Sequence, residues 1–312
     1  MTEGKQMTKV RDACALPVAI VGLGNIAQKA YLPVLGSEPG LDLRLMTRDL
    51  SKLDHIADTY RVRPRYTDLD SLIASGVRAA FVHVPTEQHY SVVMPLLQAG
   101  VDVFVDKPLS YNLDESRRMV ELAHQLGRSL VVGFNRRFAP AYVGALAFPR
   151  ELVVIQKDRQ HSVGDIRTIV LDDFIHLVDT LRMMAPPETL DIDVSGKTDN
   201  GKLQHVVLRV AGPQFTGLAI MNRSSGSASE VLQTAGADYR REVVNLTNVI
   251  EHDGAPRTHR EADWESVGLR RGIEGVCRHF LESVRSGSAL DARDALITHE
   301  WCDKIIKKLT QP

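Results

Sequence analysis

The segment Gly22-Leu23-Gly24-Asn25-Ile26-Ala27 directly follows a short apolar run at 18–21 and opens a stretch of helical character. Few arrangements constrain a chain as tightly. Gly22 permits a tight turn, Gly24 lets backbone approach a pyrophosphate, and Ala27 lets the helix pack closely on a sheet. The N–H groups of the helix start, at Asn25 and Ile26, then face the anion. A merely structural glycine turn is the alternative. The context, first strand before and helix after, argues for a dinucleotide cradle. Pro33 is expected to shorten or bend that helix.

The rest of the first half agrees. Apolar runs at 18–22, 41–46, 79–84, 101–105 and 129–134 are short and rich in Val, Ile and Phe. They alternate with helical stretches such as 113–127, where Met119, Val120, Leu122, Ala123 and Leu126 form a stripe and Gly127 stands at the stop. This predicts a parallel sheet covered on both faces, an α/β domain over 17–136. Residues 1–16 are polar and read as an extension.

Beyond residue 136 the texture changes. A helical stretch at 168–184 ends before Pro186-Pro187. Runs of strand-like alternation follow, punctuated by Gly, Asn and Asp, and then two more helical segments. The expectation is an α+β domain over 137–312 with a large, mostly antiparallel open sheet, its last helix packing back on the first domain. An open sheet leaves a face to cover, which points to a homodimer or homotetramer through that sheet.

Cofactor choice is read at the end of the second strand. An NAD-preferring fold places Asp or Glu there for the ribose 2′-OH. Here the position reads Thr47, with Arg48 beside it and Lys52 one turn on. A hydroxyl and a guanidinium suit a 2′-phosphate. NADP(H) is therefore expected over NAD(H), although Asp49 is close by.

The bulk numbers exclude other classes. With 312 residues, 44% hydrophobic and 25% charged, the chain is ordinary for a globular protein of two domains. The net charge of −1 and the absence of a basic block speak against nucleic acid. No segment approaches the roughly 20 apolar residues of a membrane span. Cys14, Cys277 and Cys302 are scattered, without metal-ligand or disulfide spacing, as in a cytoplasmic protein.

Four motifs in order give the chain a resemblance: 22–27, Pro85-Thr86 with His89, Asp106-Lys107-Pro108, and Asp172 with His176 and Asp179. Together with 133–140 they resemble the Gfo/Idh/MocA oxidoreductase family, and within it the MviM branch, over nearly the whole chain. The resemblance implies that Lys107 lies near the nicotinamide and holds the reacting oxygen. It implies that His176 is the general base in oxidation and acid in reduction, with Asp172 orienting it, and that Pro85, Thr86 and His89 lie near the cofactor. The implied substrate is a small sugar- or polyol-like molecule. Glycines that many members carry around the motif aspartate are replaced here by Thr168-Ile169-Val170-Leu171 and Phe174, so no substrate is carried over.

The residues support part of this unaided. On a regular helix Asp172, His176 and Asp179 share one face, and a carboxylate beside an imidazole fixes its tautomer. A lysine at the carboxyl end of a parallel strand lies where open α/β sheets bind ligands. Arg137, Arg159 and Asp179 are candidates for substrate contact. Taken singly, Asp172 is a helix cap, His176 an interior histidine and Lys107 a solvated loop residue; the ordered set favours catalysis. No metal site is expected, since the aspartate–histidine pair lacks further ligands. The rival reading is a cofactor-sensing regulator of the same fold, which would need no proton shuttle.

Overall fold

The computed structural model describes residues 15–187, 191–259 and 264–311. Residues 1–14, with Cys14, lie outside the described residues, and Leu16 already belongs to the first strand.

Six parallel strands form the first sheet: β1 (Leu16–Val21), β2 (Leu41–Met46), β3 (Arg65–Tyr66), β4 (Ala79–Val82), β5 (Asp102–Val105) and β6 (Leu130–Val132). Their order is β3-β2-β1-β4-β5-β6, with the reversal between β1 and β4. Ligands bind at such a switch point. The central strands β1, β4 and β5 are largely apolar because both of their faces are buried. Val18 and Ile20 join Phe81 and Phe104 on one face; Ala19 and Val21 join Val82, Val103 and Val105 on the other. The helix Leu113–Leu126 starts on the Asn112 side chain, which accepts from Asp114 N–H, and stops at Gly127 with φ 61°.

The second sheet has nine strands: β7 (Leu152–Asp158), β8 (Gly164–Asp165), β9 (Asp191–Asp199), β10 (Lys202–Gly212), β11 (Phe215–Asn222), β12 (Ser229–Gly236), β13 (Tyr239–Val244), β14 (Asn248–His252) and β15 (Pro256–His259). All pairings are antiparallel except β7 with β11. The helix Ile175–Met184 packs on β7 and β11, and Gly217 admits Leu181, which a Cβ would meet at 2.5 Å. On the other face Val154, Val207, Leu218, Ile220 and Val231 are only half-buried.

Two features depart from the expected organisation. The stretch 168–184 is not one regular helix: Ile166–Ile169 is α-helical, Val170–Phe174 is a π-helical turn, and Ile175–Met184 is α-helical again. The chain also returns earlier than expected. The helix Ile273–Ser286 sits inside the first sheet's core, with Phe280 edge-on to Phe81 at 5.2 Å between ring centroids. The final helix, Arg293–Thr310, touches both Leu113–Leu126 and Ile175–Met184, so it bridges the two sheets' helical layers.

Candidate active site

The cradle is built as the sequence requires. Gly22 has φ +89°, and a Cβ there would come within 2.7 Å of the His83 backbone, so β1 and β4 close together only around a glycine. A Cβ at Gly24 would meet nothing within 4 Å, leaving the helix start open to an approaching group. Residues 25–35 are helical, with a π turn at Ala27–Tyr31 before Pro33. These residues fit a dinucleotide pyrophosphate.

A cleft of about 580 Å³ lies beside the cradle. Ile26, Lys29, Tyr31, Pro85, Thr86 and Lys107 line it from the first sheet; Lys157, Arg159, Asp172, Asp173 and His176 line it from the second. Another hollow of similar size, around Asn112, Glu115, Arg117 and Lys307, contains neither Lys107 nor His176.

Lys107 follows β5 and donates from Nζ to the Asp172 carbonyl at 2.6 Å. Burial pushes its pKa down, against the pull of Asp172 and Asp106. Two histidines fix the loop after it. His89 has Nδ1 2.9 Å from the Pro108 carbonyl and Nε2 3.0 Å from the Val84 carbonyl. His299, on the final helix, accepts the Leu109 N–H at Nε2 (2.9 Å) and bonds the Ala295 carbonyl through Nδ1. His89 is thus 1% exposed with both nitrogens turned to backbone carbonyls, a clamp on the Lys107 loop that also lines the cleft beside Pro85 and Thr86.

The expected Asp172–His176 pair is not formed. Both carboxylate oxygens of Asp172 accept from the Tyr111 hydroxyl at 2.9 Å, while His176 Nδ1 is buried without a partner. Asp172 lies in the π turn Val170–Phe174 and His176 in the α-helix that follows, so the two do not share one regular helix. Burial, then the charges of Arg136, Lys107, Lys157 and Arg159, hold the His176 pKa well below its ordinary value. The imidazole is therefore neutral near pH 7.

Arg137 and Asp179 are not in the cleft. Arg137 grips the buried Asp179 through Nε and Nη2 (2.8 and 2.6 Å) and reaches Asp294, joining the final helix to Ile175–Met184. Arg159 does line the cleft, as part of a cluster at the ends of β7, β11 and β12 that local sequence does not reveal. Arg136 forms a bidentate pair with Glu230 (2.7 and 2.6 Å), to which Tyr142 also donates at 3.0 Å. Lys157 pairs with Asp173 at 2.5 Å and approaches Glu230 at 3.5 Å.

An aspartate–histidine pair does exist on the opposite wall. His83 follows β4, Asp106 follows β5, and Nδ1 lies 2.8 Å from Oδ2. Burial raises the pKa of Asp106, but His83, His89 and Lys107 outweigh it and keep the group below its ordinary value, hence ionised. The Tyr31 ring covers His83 at 4.1 Å between centroids. A signal was present in the sequence: His83 is the one polar side chain in the apolar run 79–84.

At the end of β2, the Asp49 carboxylate caps the next helix by accepting from Lys52 N–H at 3.0 Å. Arg48 is exposed, with one long bond to Gln88 (3.3 Å). Thr47 stands between, its N–H on the Tyr66 carbonyl.

Comparison with known proteins agrees with this geometry. A family model described as "Oxidoreductase family, NAD-binding Rossmann fold" matches residues 16–134, and one described as "YceM-like, C-terminal domain" matches 142–253. The chain is 36% identical to the putative oxidoreductase YceM of Salmonella typhimurium over 282 residues, 87% of this chain and 90% of that one. It is 30% identical to an inositol 2-dehydrogenase of Corynebacterium glutamicum over 250 residues, 76% and 69% of the two chains. The crystal structure of the dehydrogenase MviM from Clostridium difficile superposes with a TM-score of 0.89 at 28% identity, covering 94% of this chain and 99% of that one. The chain belongs to the Gfo/Idh/MocA family of oxidoreductases. As a member of that family it is an NAD(P)-dependent dehydrogenase, and its first sheet is the nucleotide-binding one. Among the described residues no group of three or more His, Cys, Asp or Glu is arranged to hold a metal ion, and no helix is long and apolar enough to cross a membrane.

Proposed function

We propose that this Gfo/Idh/MocA member is an NADP-preferring dehydrogenase that oxidises a hydroxyl, or reduces the matching carbonyl, of a small sugar- or polyol-like molecule bound between the two sheets. The observation that carries the reading is the convergence of Lys107, at the carboxyl end of β5, and His176, from the helix on the second sheet, on one cleft beside the open start of the Gly24 helix. Gly22, Gly24, Asn25, Ile26 and Ala27 would hold the pyrophosphate, and Pro85 and Thr86 the nicotinamide end. When bound, the nicotinamide supplies hydride transfer. Lys107 spends one of its three donors on the Asp172 carbonyl and keeps the others for the substrate oxygen. Neutral His176 takes the hydroxyl proton in oxidation and returns it in reduction. Asp172 acts on this pair through Lys107, whose charge it supports.

Preference for NADP rests on Thr47 and Arg48, with Asp49 committed to its helix cap. Fluorescence titration of wild type and Arg48→Ala with NADPH and NADH tests it. NADPH should bind more tightly, and the variant should lose about tenfold for NADPH alone. Equal affinity for both dinucleotides would refute the preference; binding of neither would refute the dehydrogenase reading. The half-buried apolar face of the second sheet is the surface for a homodimer or homotetramer, which light scattering can check.

A further inference from the structure

We propose that the substrate of this cleft carries an acidic group, a carboxylate or a phosphate, seated against Arg159 with Lys157 behind it. The inference deepens the dehydrogenase reading and rests on it. Buried charges are ordinarily paired one for one. Here Arg136, Lys157, Arg159 and Arg223 converge on only two carboxylates, Asp173 and Glu230. Glu230 is filled by the bidentate Arg136 and by Tyr142. Asp173 is shared three ways, with Lys157 at 2.5 Å, Arg223 at 2.6 Å and Arg159 at 3.2 Å. Three buried cations and the more exposed Arg159 thus meet two carboxylates.

The surplus is directed. Arg223 is tied down by the Ser162 carbonyl and hydroxyl, its side chain 11% exposed, and Lys157 is 7% exposed. Arg159 is 42% exposed, lines the cleft, and holds Asp173 only at the long end of hydrogen-bond range, 3.2 and 3.5 Å. Its planar fork has donors to spare, and that fork matches a carboxylate or phosphate. The dinucleotide does not account for these charges: Lys157 and Arg159 stand at the end of β7 in the second sheet, whereas the cradle and Arg48 belong to the first. The same cations bear on His176 and hold it deprotonated, so an anion in the cleft would ease formation of the imidazolium that proton transfer requires. A neutral polyol would not.

The test is calorimetric titration of the NADP⁺-saturated full chain with three probes of one ring size: glucose, glucuronate and glucose 6-phosphate. At least one acid should bind about tenfold more tightly than glucose. Arg159→Ala should abolish that advantage, and Arg159→Lys should keep part of it. Glucuronate alone gaining marks a carboxylate subsite, glucose 6-phosphate alone a phosphate subsite. Glucose binding as well as both acids, neither acid binding, or an acid preference that survives Arg159→Ala would each overturn the inference; an unchanged melting curve confirms that the variant is folded. Nicotinamide absorbance separates the two readings. Arg159-dependent binding of an acid without turnover of any of a panel of acidic sugars would remove the dehydrogenase reading and leave the anion subsite standing. Turnover of a neutral polyol, unaffected by Arg159→Ala, would do the reverse.

Discussion

Two histidines face the cleft from opposite walls, and the protein treats them differently. His83, at the end of β4, has its Nδ1 on an ionised aspartate and its ring under Tyr31. His176, on the second sheet's helix, has a buried Nδ1 with no partner and four cations bearing on it. The first has Nδ1 on a carboxylate, its Nε2 buried without a partner, and a place in an aromatic cluster. The second has no carboxylate on either nitrogen among the described residues, and its Nδ1 is likewise without a hydrogen bond. Buried polar groups are normally satisfied, and each ring keeps one unsatisfied nitrogen; what separates them is the charge around them, an ionised carboxylate at His83 and four cations at His176.

The contrast can be broken most directly by removing each ring. His176→Leu should lower kcat by about 10² to 10⁴, the usual weight of a general acid–base, while NADPH affinity stays within a few-fold. Its melting temperature should hold or rise, because an unsatisfied buried nitrogen is lost. A large drop in melting temperature would mean that His176 is structural. His83→Ala should do the opposite. It removes the Nδ1 partner of Asp106 and a ring from the aromatic cluster, a large-to-small change costing about 3 kcal/mol, read as a fall in melting temperature of several degrees, with a smaller loss of kcat.

Acid sharpens the comparison next. His176 works as a base when neutral, and its pKa is lowered in the free protein. The acid limb of kcat/KM for oxidation should therefore fall below pH 6.5, the ordinary histidine value, and activity should be level from there upward as far as this group decides. A limb at or above 6.5 would show that the four cations do not set its charge. Stability has its own acid dependence through His299, which burial lowers to about 4. The unfolded chain binds this proton more readily, so stability should decline as pH falls from about 6.5 toward 4, by on the order of 3 kcal/mol at most from this residue. A chemical-denaturation series in which His299→Gln flattens that slope would confirm the source. The smallest effect is expected from Tyr111→Phe. It frees the Asp172 carboxylate and should change kcat by only a few-fold; a shift of the acid limb upward would mean that the freed carboxylate turns to His176.

Much of the fold was legible because the signals are local. Period-two and period-3.6 patterns separate strands from helices, and Gly22, Gly24 and Gly127 punctuate them. Lys107 and His176 were legible through their motifs, and the structure does bring them to one cleft. What was not legible depends on distant pairing. The spacing of Asp172 and His176 promises a pair, but the Asp172 carboxylate is taken by the Tyr111 hydroxyl, 61 positions away in the chain. Arg137 and Asp179 look like free polar residues until the fold joins them across 42 positions. Arg136 and Glu230 are 94 apart, and no local pattern announces their pair.

The helix Ile273–Ser286 has a consequence for synthesis. That helix completes the cover over Phe81 and Phe104, against which its Phe280 lies at 5.2 and 6.0 Å between ring centroids. β6 leaves the ribosome about 140 residues earlier, which at roughly 5–20 residues per second is on the order of 7 to 30 seconds. Throughout that interval the nascent nucleotide-binding half lacks part of the cover over that aromatic face. A chaperone that recognises such surfaces should bind stalled chains ending near residue 260 and release those ending beyond residue 286.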